Sequence, residues 1–338
     1  MIQTHSVIAH SAYIDLRRSL QDEEAGDIRG KPMRISRGNR QYWYDNFRIG
    51  NRTIKRYLGE DSEELRKQIS AANAIQESGK KRSERRSYLI RLLRAEGFKP
   101  IERNFGSLLT ALADAGAFRL GGTLVGTLAF RLYEGELGVR MPIEDIAQTD
   151  DVDIASFERL SIALADIEKI DANQVLRDFS FDPLPALSNN ASWRWKQADT
   201  QTLVEFLTPS FDAEEGIRPL PALGVHAQAL HFLNFLIAEP IKAAVPYRSG
   251  VLVQIPAPER FAVHKLIVAD RRQGGPDALK SIKDRRQAAF LIEVLAQDRP
   301  DELREAWEDA RNRGPRWRER LDRSLARMPD TAKLLATL

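Results

Sequence analysis

Apolar and polar positions alternate twice in the middle of this chain. Val152 and Ile154 are interleaved with Asp151 and Asp153, and Val204 and Phe206 flank Glu205. A period of two marks strands, whose successive side chains point to opposite faces. Residues 149–155 and 202–209 are therefore expected strands, the second stopped by Pro209. Upstream, residues 120–130 run from a glycine-punctuated apolar segment into helical spacing that ends near Tyr133. Downstream, a helix is expected from Pro258, because proline is tolerated in a first helical turn. Along it Phe261, Lys265, Val268 and Arg272 recur at helical spacing, with His264 midway. Residues 298–338, with Trp307, Trp317 and many Arg and Glu, read as amphipathic helices.

The first hundred residues have another character. Residues 34–36, 41–49 and 52–58 read as three short strands with turns at Gly38-Asn39 and Gly50-Asn51. Residues 60–94 read as a charge-rich helical arm with a modest apolar stripe of Leu65, Ile69, Ala72 and Gln76. The expected division is 1–100, 101–220 and 221–338: meander and arm, mixed α/β core, and mostly helical C-terminal lobe.

Composition narrows the class. The chain has 338 residues, enough for a sizeable core and two or three domains. It contains no cysteine, which removes disulfide scaffolds and cysteine zinc sites and suits a reducing cytoplasm. No apolar run is long enough to span a bilayer, and residues 1–5 do not begin a basic-then-apolar export signal, so no membrane role is expected. Net charge is only +3, yet residues 28–57 hold nine Lys or Arg against the single acid Asp45. Tyr42, Trp43, Tyr44, Phe47 and Tyr57 are interleaved with them. Such a sheet suits RNA or DNA, with Arg34, Arg40 and Arg48 on phosphates and Trp43 on bases. The alternative is a small sheet with Trp43 packed inward and arginines keeping it soluble.

The acids carry the candidate chemistry. In a strand Asp151 and Asp153 share a face about 7 Å apart, an arrangement that a cation between them relieves. Mg²⁺ takes one or two carboxylates together with substrate phosphates. A strand edge with its acids turned to water is the alternative. Glu205 among apolar neighbours needs a partner, a metal or the open end of a sheet, unless ordinary alternation turns it to solvent. Upstream, a small-residue turn between strand and helix lets backbone N–H groups approach a phosphate. Two turns qualify, Gly121-Gly122 and Gly126-Thr127, and a tightly packed strand–helix junction would look the same.

Taken in order, the glycine turn and helix of "LGGTLVGTLAFRLYEGELG", the strand "TDDVDIA" and the strand "VEFLTP" resemble the nucleotidyltransferase superfamily related to DNA polymerase β. Within it they resemble a bacterial group of nucleotidyltransferase-fold proteins, over roughly residues 105–295. The resemblance implies an α+β fold, a nucleotidyltransferase-type mixed sheet flanked by helices. It implies a two-metal site in which Asp151 and Asp153 hold two Mg²⁺ (or Mn²⁺) ions. It makes Glu205 the third carboxylate, a metal ligand or the group that activates the attacking hydroxyl, and an NTP the substrate. It places the triphosphate at Gly126-Thr127, or at Gly121-Gly122, and makes Lys265 and Lys283 triphosphate contacts. The implied activity is transfer of a nucleoside monophosphate to a hydroxyl, on RNA or protein. A second reading is a catalytically inactive binding protein with the same fold, of the kind found in toxin–antitoxin or defence systems.

Overall fold

Each alternating segment becomes a strand, and the two lie side by side. The computed structural model describes residues 2–24, 31–38, 40–49, 52–142, 149, 151–165, 169–185, 191–274 and 278–338. Helix α1 (Val7–Glu24) precedes β1 (Lys31–Arg37), β2 (Arg40–Ile49) and β3 (Arg52–Glu60), an antiparallel meander. The long α2 (Glu63–Ala95) begins at Ser62, whose Oγ accepts a hydrogen bond from the Leu65 N–H at 3.2 Å. There follow α3 (Arg103–Ala115), β4 (Thr123–Val125), α4 (Gly126–Leu137), β5 (Asp151–Ala155), α5 (Glu158–Ala165) and α6 (Ala172–Asp178). Then come β6 (Phe181–Leu184), β7 (Arg194–Gln197), β8 (Leu203–Pro209), β9 (Ile217–Leu220), β10 (Val225–Leu230) and the one-turn α7 (Leu233–Leu236). The hairpin β11 (Pro240–Val245) and β12 (Val251–Pro256) leads to α8 (Pro258–Arg271) and α9 (Ala278–Asp298). The tail forms α10 (Pro300–Asn312), α11 (Pro315–Leu325) and α12 (Pro329–Ala336), each opened by a proline that fits a first turn.

The central sheet is mixed and runs β4-β5-β8-β10-β9, with the β6–β7 ribbon also attached to β8. Strands β5 and β8 are parallel, and β4 is antiparallel to β5. Val152, Ile154, Val204 and Phe206 are buried in the main core, with α4 packed on β5. Burying side chains of this size contributes roughly 1.5–3 kcal/mol each. The odd-numbered acids are thereby fixed on the other face.

One helix boundary and one whole helix differ from the sequence expectation. Helix α4 runs past Tyr133 to Leu137, where Gly138 at φ +64° takes the left-handed terminating position. Gly135 does not break it: a Cβ there would lie 2.2 Å from the Tyr13 ring, so the residue is a seat for α1. Helix α1 itself was not expected, although Ala9, Tyr13, Leu16 and Leu20 recur at helical spacing. They pack with Ile90 and Leu93 of α2 and Ala244 of β11 in a second cluster. The Tyr13 hydroxyl donates to Glu136 Oε1 at 2.5 Å, and Arg17 pairs with the same carboxylate. Leu65 and Ile69 of the expected stripe lie at the start of α2, while the Ala72 and Gln76 side chains lie outside the described residues, as do Asn39, Gly50 and Asn51.

Candidate active site

One register row crosses four strands. Val125 of β4 pairs with Asp153 of β5, Asp153 with Glu205 of β8, and Glu205 with Arg194 of β7. Neighbouring strands lie about 4.8 Å apart, so Asp153 and Glu205 stand side by side. Asp151 precedes Asp153 by two residues on the same face, beside Leu203. Asp150, the first acid of the run, lies outside the described residues.

The electrostatics follow from this crowding. Burial pushes the Asp153 carboxyl up to about 7, and Glu205 and Asp151 add their repulsion. Burial also raises Glu205, against the nearby Arg194 guanidinium, whose Nε lies 2.7 Å from Oε1. The Arg194 guanidinium sits 4.5 Å above the Trp193 ring. Among the described residues no group of three or more His, Cys, Asp or Glu side chains is gathered as a metal cluster. The donors nevertheless fit a hard cation: they are carboxylate oxygens only, and they repel one another.

The backbone of Gly126 approaches these acids closely. It begins α4 at φ +69°, and a Cβ there would lie 2.0 Å from Asp153 Oδ2. Val125 at the cap position supplies no side-chain hydrogen bond, so the first N–H groups of α4 depend on other partners. Thr127 is buried in that first turn. Gly121 and Gly122 lie at the opposite end of β4. A Cβ on Gly121 would meet Leu160 at 2.7 Å, and one on Gly122 the Ala117 carbonyl at 2.7 Å. The structure therefore puts Gly126-Thr127 with the acids and Gly121-Gly122 in a packed junction.

Across from the acids, α8 and α9 present cations. Lys265 Nζ lies 2.6 Å from Asp284 Oδ1, and Arg272 donates to Asp284 Oδ2 at 2.7 Å. Burial alone would raise Asp284, but Lys265 and Arg272 overcome it and hold the carboxyl below its usual range. The same two cations act on Asp153 against the effect of burial. Lys283 is shifted down by burial, then by Lys265, while Asp284 and Asp151 oppose. The roles of Arg194, Arg272 and Asp284 were not read from the sequence. Arg194 follows Trp193 in an alternating segment, but its meeting with Glu205 depends on strand register.

His264, beside Lys265, is buried, and burial lowers its pKa to about 3. The unfolded chain binds this proton below about pH 6.5 and the folded one does not, so stability falls on acidification through that range. We expect His264→Gln to flatten the wild-type decline between pH 6.5 and 4.5, a difference of up to about 1.4 kcal/mol per pH unit. Parallel denaturation curves across that window would contradict this.

The N-terminal residues behave differently. The Trp43 Nε1 donates to Asp61 at 2.7 Å, and Arg66 donates to the same carboxylate at 2.8 Å through Nε. Arg34 lies 5.9 Å over the Trp43 ring, and Arg40 is an exposed partner of Glu60 at 3.8 Å. The Arg48 side chain lies outside the described residues. None of these stands beside the acids in the register of the central sheet.

A family described as nucleotidyltransferase matches residues 103–312, and one described as a domain of unknown function matches residues 12–67. No curated protein matches. Among solved structures, an antigenic nucleotidyltransferase-like protein from Paracoccidioides brasiliensis is similar at 16% identity and a TM-score of 0.34, over 66% of this chain and 95% of that one.

Proposed function

Because the chain belongs to the nucleotidyltransferase family, we propose that it transfers a nucleoside monophosphate from an NTP to a hydroxyl acceptor, with Mg²⁺ or Mn²⁺ held by Asp151 and Asp153. The observation that carries this is Asp153 flanked by Glu205 on one strand and by bare Gly126 on the other side. When bound, a divalent cation would neutralise phosphate charge and acidify the acceptor hydroxyl. The remaining work belongs to the chain. Gly126 and Thr127 offer backbone N–H groups to the triphosphate at a helix N-terminus. Lys265, Arg272 and Lys283 offset charge on the departing pyrophosphate. Glu205 is placed to take the acceptor proton, its raised pKa bringing it nearer the working pH.

The test is incubation of the full chain with each labelled NTP and total RNA, with and without Mg²⁺. Label transferred to RNA or protein only with the cation is expected. No transfer with any NTP, Mg²⁺ or Mn²⁺ would remove this reading.

The Arg194–Glu205 pair favours a second reading. A third carboxylate held by a cation of its own fits a site that binds a nucleotide or partner without turnover, as in a toxin–antitoxin or defence pair. NTP binding without transfer, unaffected by loss of Glu205, would favour it. Contact of the basic meander with RNA or DNA through Arg34, Arg40, Arg48 and Trp43 remains a proposal of either reading.

A further inference from the structure

A second cleft opens at the other end of the central strands. It begins where β8 and β10 finish, at Ser210 and His231, and has a volume of about 750 Å³. Glu205 lies four residues back along β8 from Pro209, on the order of 13 Å away. Its wall is aromatic: Phe232 meets Trp317 edge-on with ring centroids 4.8 Å apart. Phe232 is a non-glycine residue at φ +70°, a conformation that costs roughly 1–3 kcal/mol and collects at ligand sites. That backbone turns its ring toward α11.

Cations surround this wall. Arg271 and Arg320 lie 5.9 and 5.5 Å from the Phe232 ring, and Arg313 lies 5.4 Å from Trp317. Each is oriented from behind by a carboxylate: Glu215 for Arg271, Asp270 for Arg320 and Asp309 for Arg313. A guanidinium has five donors, so one carboxylate leaves donors for a ligand. Asp270 also serves Arg323, so positive charge is in surplus there; Asp309 also serves Arg260, which Glu239 holds as well. Residues 311–323 contain six arginines against Glu319 and Asp322. Arg316, Arg320 and Arg323 follow i, i+4, i+7 spacing along α11, which puts them in one stripe about 10 Å long.

We propose that this cleft binds single-stranded nucleic acid, with a base against Phe232 and Trp317 and the backbone along the arginine stripe. Aromatic faces accept any base, and a row of guanidiniums follows successive phosphates. A duplex keeps its bases stacked inside and cannot use the aromatic wall. An acidic peptide would use the cations but not the rings. The inference does not depend on catalysis, since none of these residues lies in the acid row.

The experiment measures fluorescence anisotropy of a labelled 12-nucleotide single-stranded RNA with the full chain, in an Asp151→Asn/Asp153→Asn background that prevents turnover. Arg316 is exposed, so Arg316→Glu should fold. We expect it to weaken binding severalfold and lower the log–log salt slope by about 1. Arg318→Glu changes net charge identically, but Arg318 is engaged with the Arg311 carbonyl; it should change little. RNA-dependent quenching of fluorescence should be smaller in Trp317→Phe than in the chain that keeps Trp317. Equal losses in Arg316→Glu and Arg318→Glu, or displacement of the RNA by a duplex or polyglutamate as readily as by unlabelled RNA, would overturn the proposal. Binding here without label transfer in the turnover assay would leave this inference standing and remove the transferase reading.

Discussion

Replacing Asp151 and Asp153 together by Asn should reduce nucleotidyl transfer by roughly 10³-fold or more, since comparable losses follow removal of one transition-state stabilising group elsewhere. The same variant should melt higher than wild type without divalent cation at neutral pH. Asp153 is raised to about 7 because its charged form is buried beside Glu205 and Asp151. Removing that repulsion favours the folded chain, and each kcal/mol gained is worth roughly 2–4 °C for domains of 150–250 residues. Mg²⁺ should raise the wild-type midpoint and leave that of the variant unchanged. Opposite signs for activity and stability are the signature of a site built around unfavourable charge. A variant that loses activity and stability together, with no response of the wild type to Mg²⁺, would point to a structural role for the pair.

Gly126→Ala should be nearly as damaging. The new methyl would collide with Asp153 Oδ2 at 2.0 Å, on a backbone at φ +69° that costs a side chain about 1–2 kcal/mol. Either the carboxylate or the first turn of α4 must move, and misplacement by about 1 Å can cost 10²-fold in rate. Gly38→Ala is the matched control: its φ is +60°, but nothing lies within 4 Å of the added methyl. Both variants should lose the stability that the left-handed backbone costs, Gly126→Ala more because of its collision, with transfer lost only in Gly126→Ala. Full activity in Gly126→Ala would count against the proposal that Gly126-Thr127 holds the triphosphate.

The acid strands were legible because burial imposed a strict period of two on Val152, Ile154, Val204 and Phe206, which left the carboxylates no choice of face. The glycine turn was legible only as a pair of alternatives. Gly121 and Gly126 both have positive φ, and what separates them is the neighbour each backbone touches, Leu160 for one and Asp153 for the other. Arg194 was out of reach for a similar reason: nothing in a local pattern says which residue of β7 stands opposite Glu205. The Lys265–Asp284–Arg272 group spans two helices, and each member alone resembles a solvated charge. Helix α1 carried a readable repeat, but Ala9 and Ala12 weaken its apolar stripe, and its strongest anchor is a tyrosine whose hydroxyl finds a buried glutamate.

The seating of Tyr13 on Gly135 bears on how this chain can be divided. The two family matches meet the eye as an N-terminal piece and a transferase piece, with an inviting seam near residue 100. Cutting there would leave a transferase portion with a ring-sized dent in α4, and Glu136 stripped of both Tyr13 and Arg17. Helix α4 would then lose its support at the end away from Gly126, so α1 belongs to the packing of the 103–312 segment although it lies outside that match.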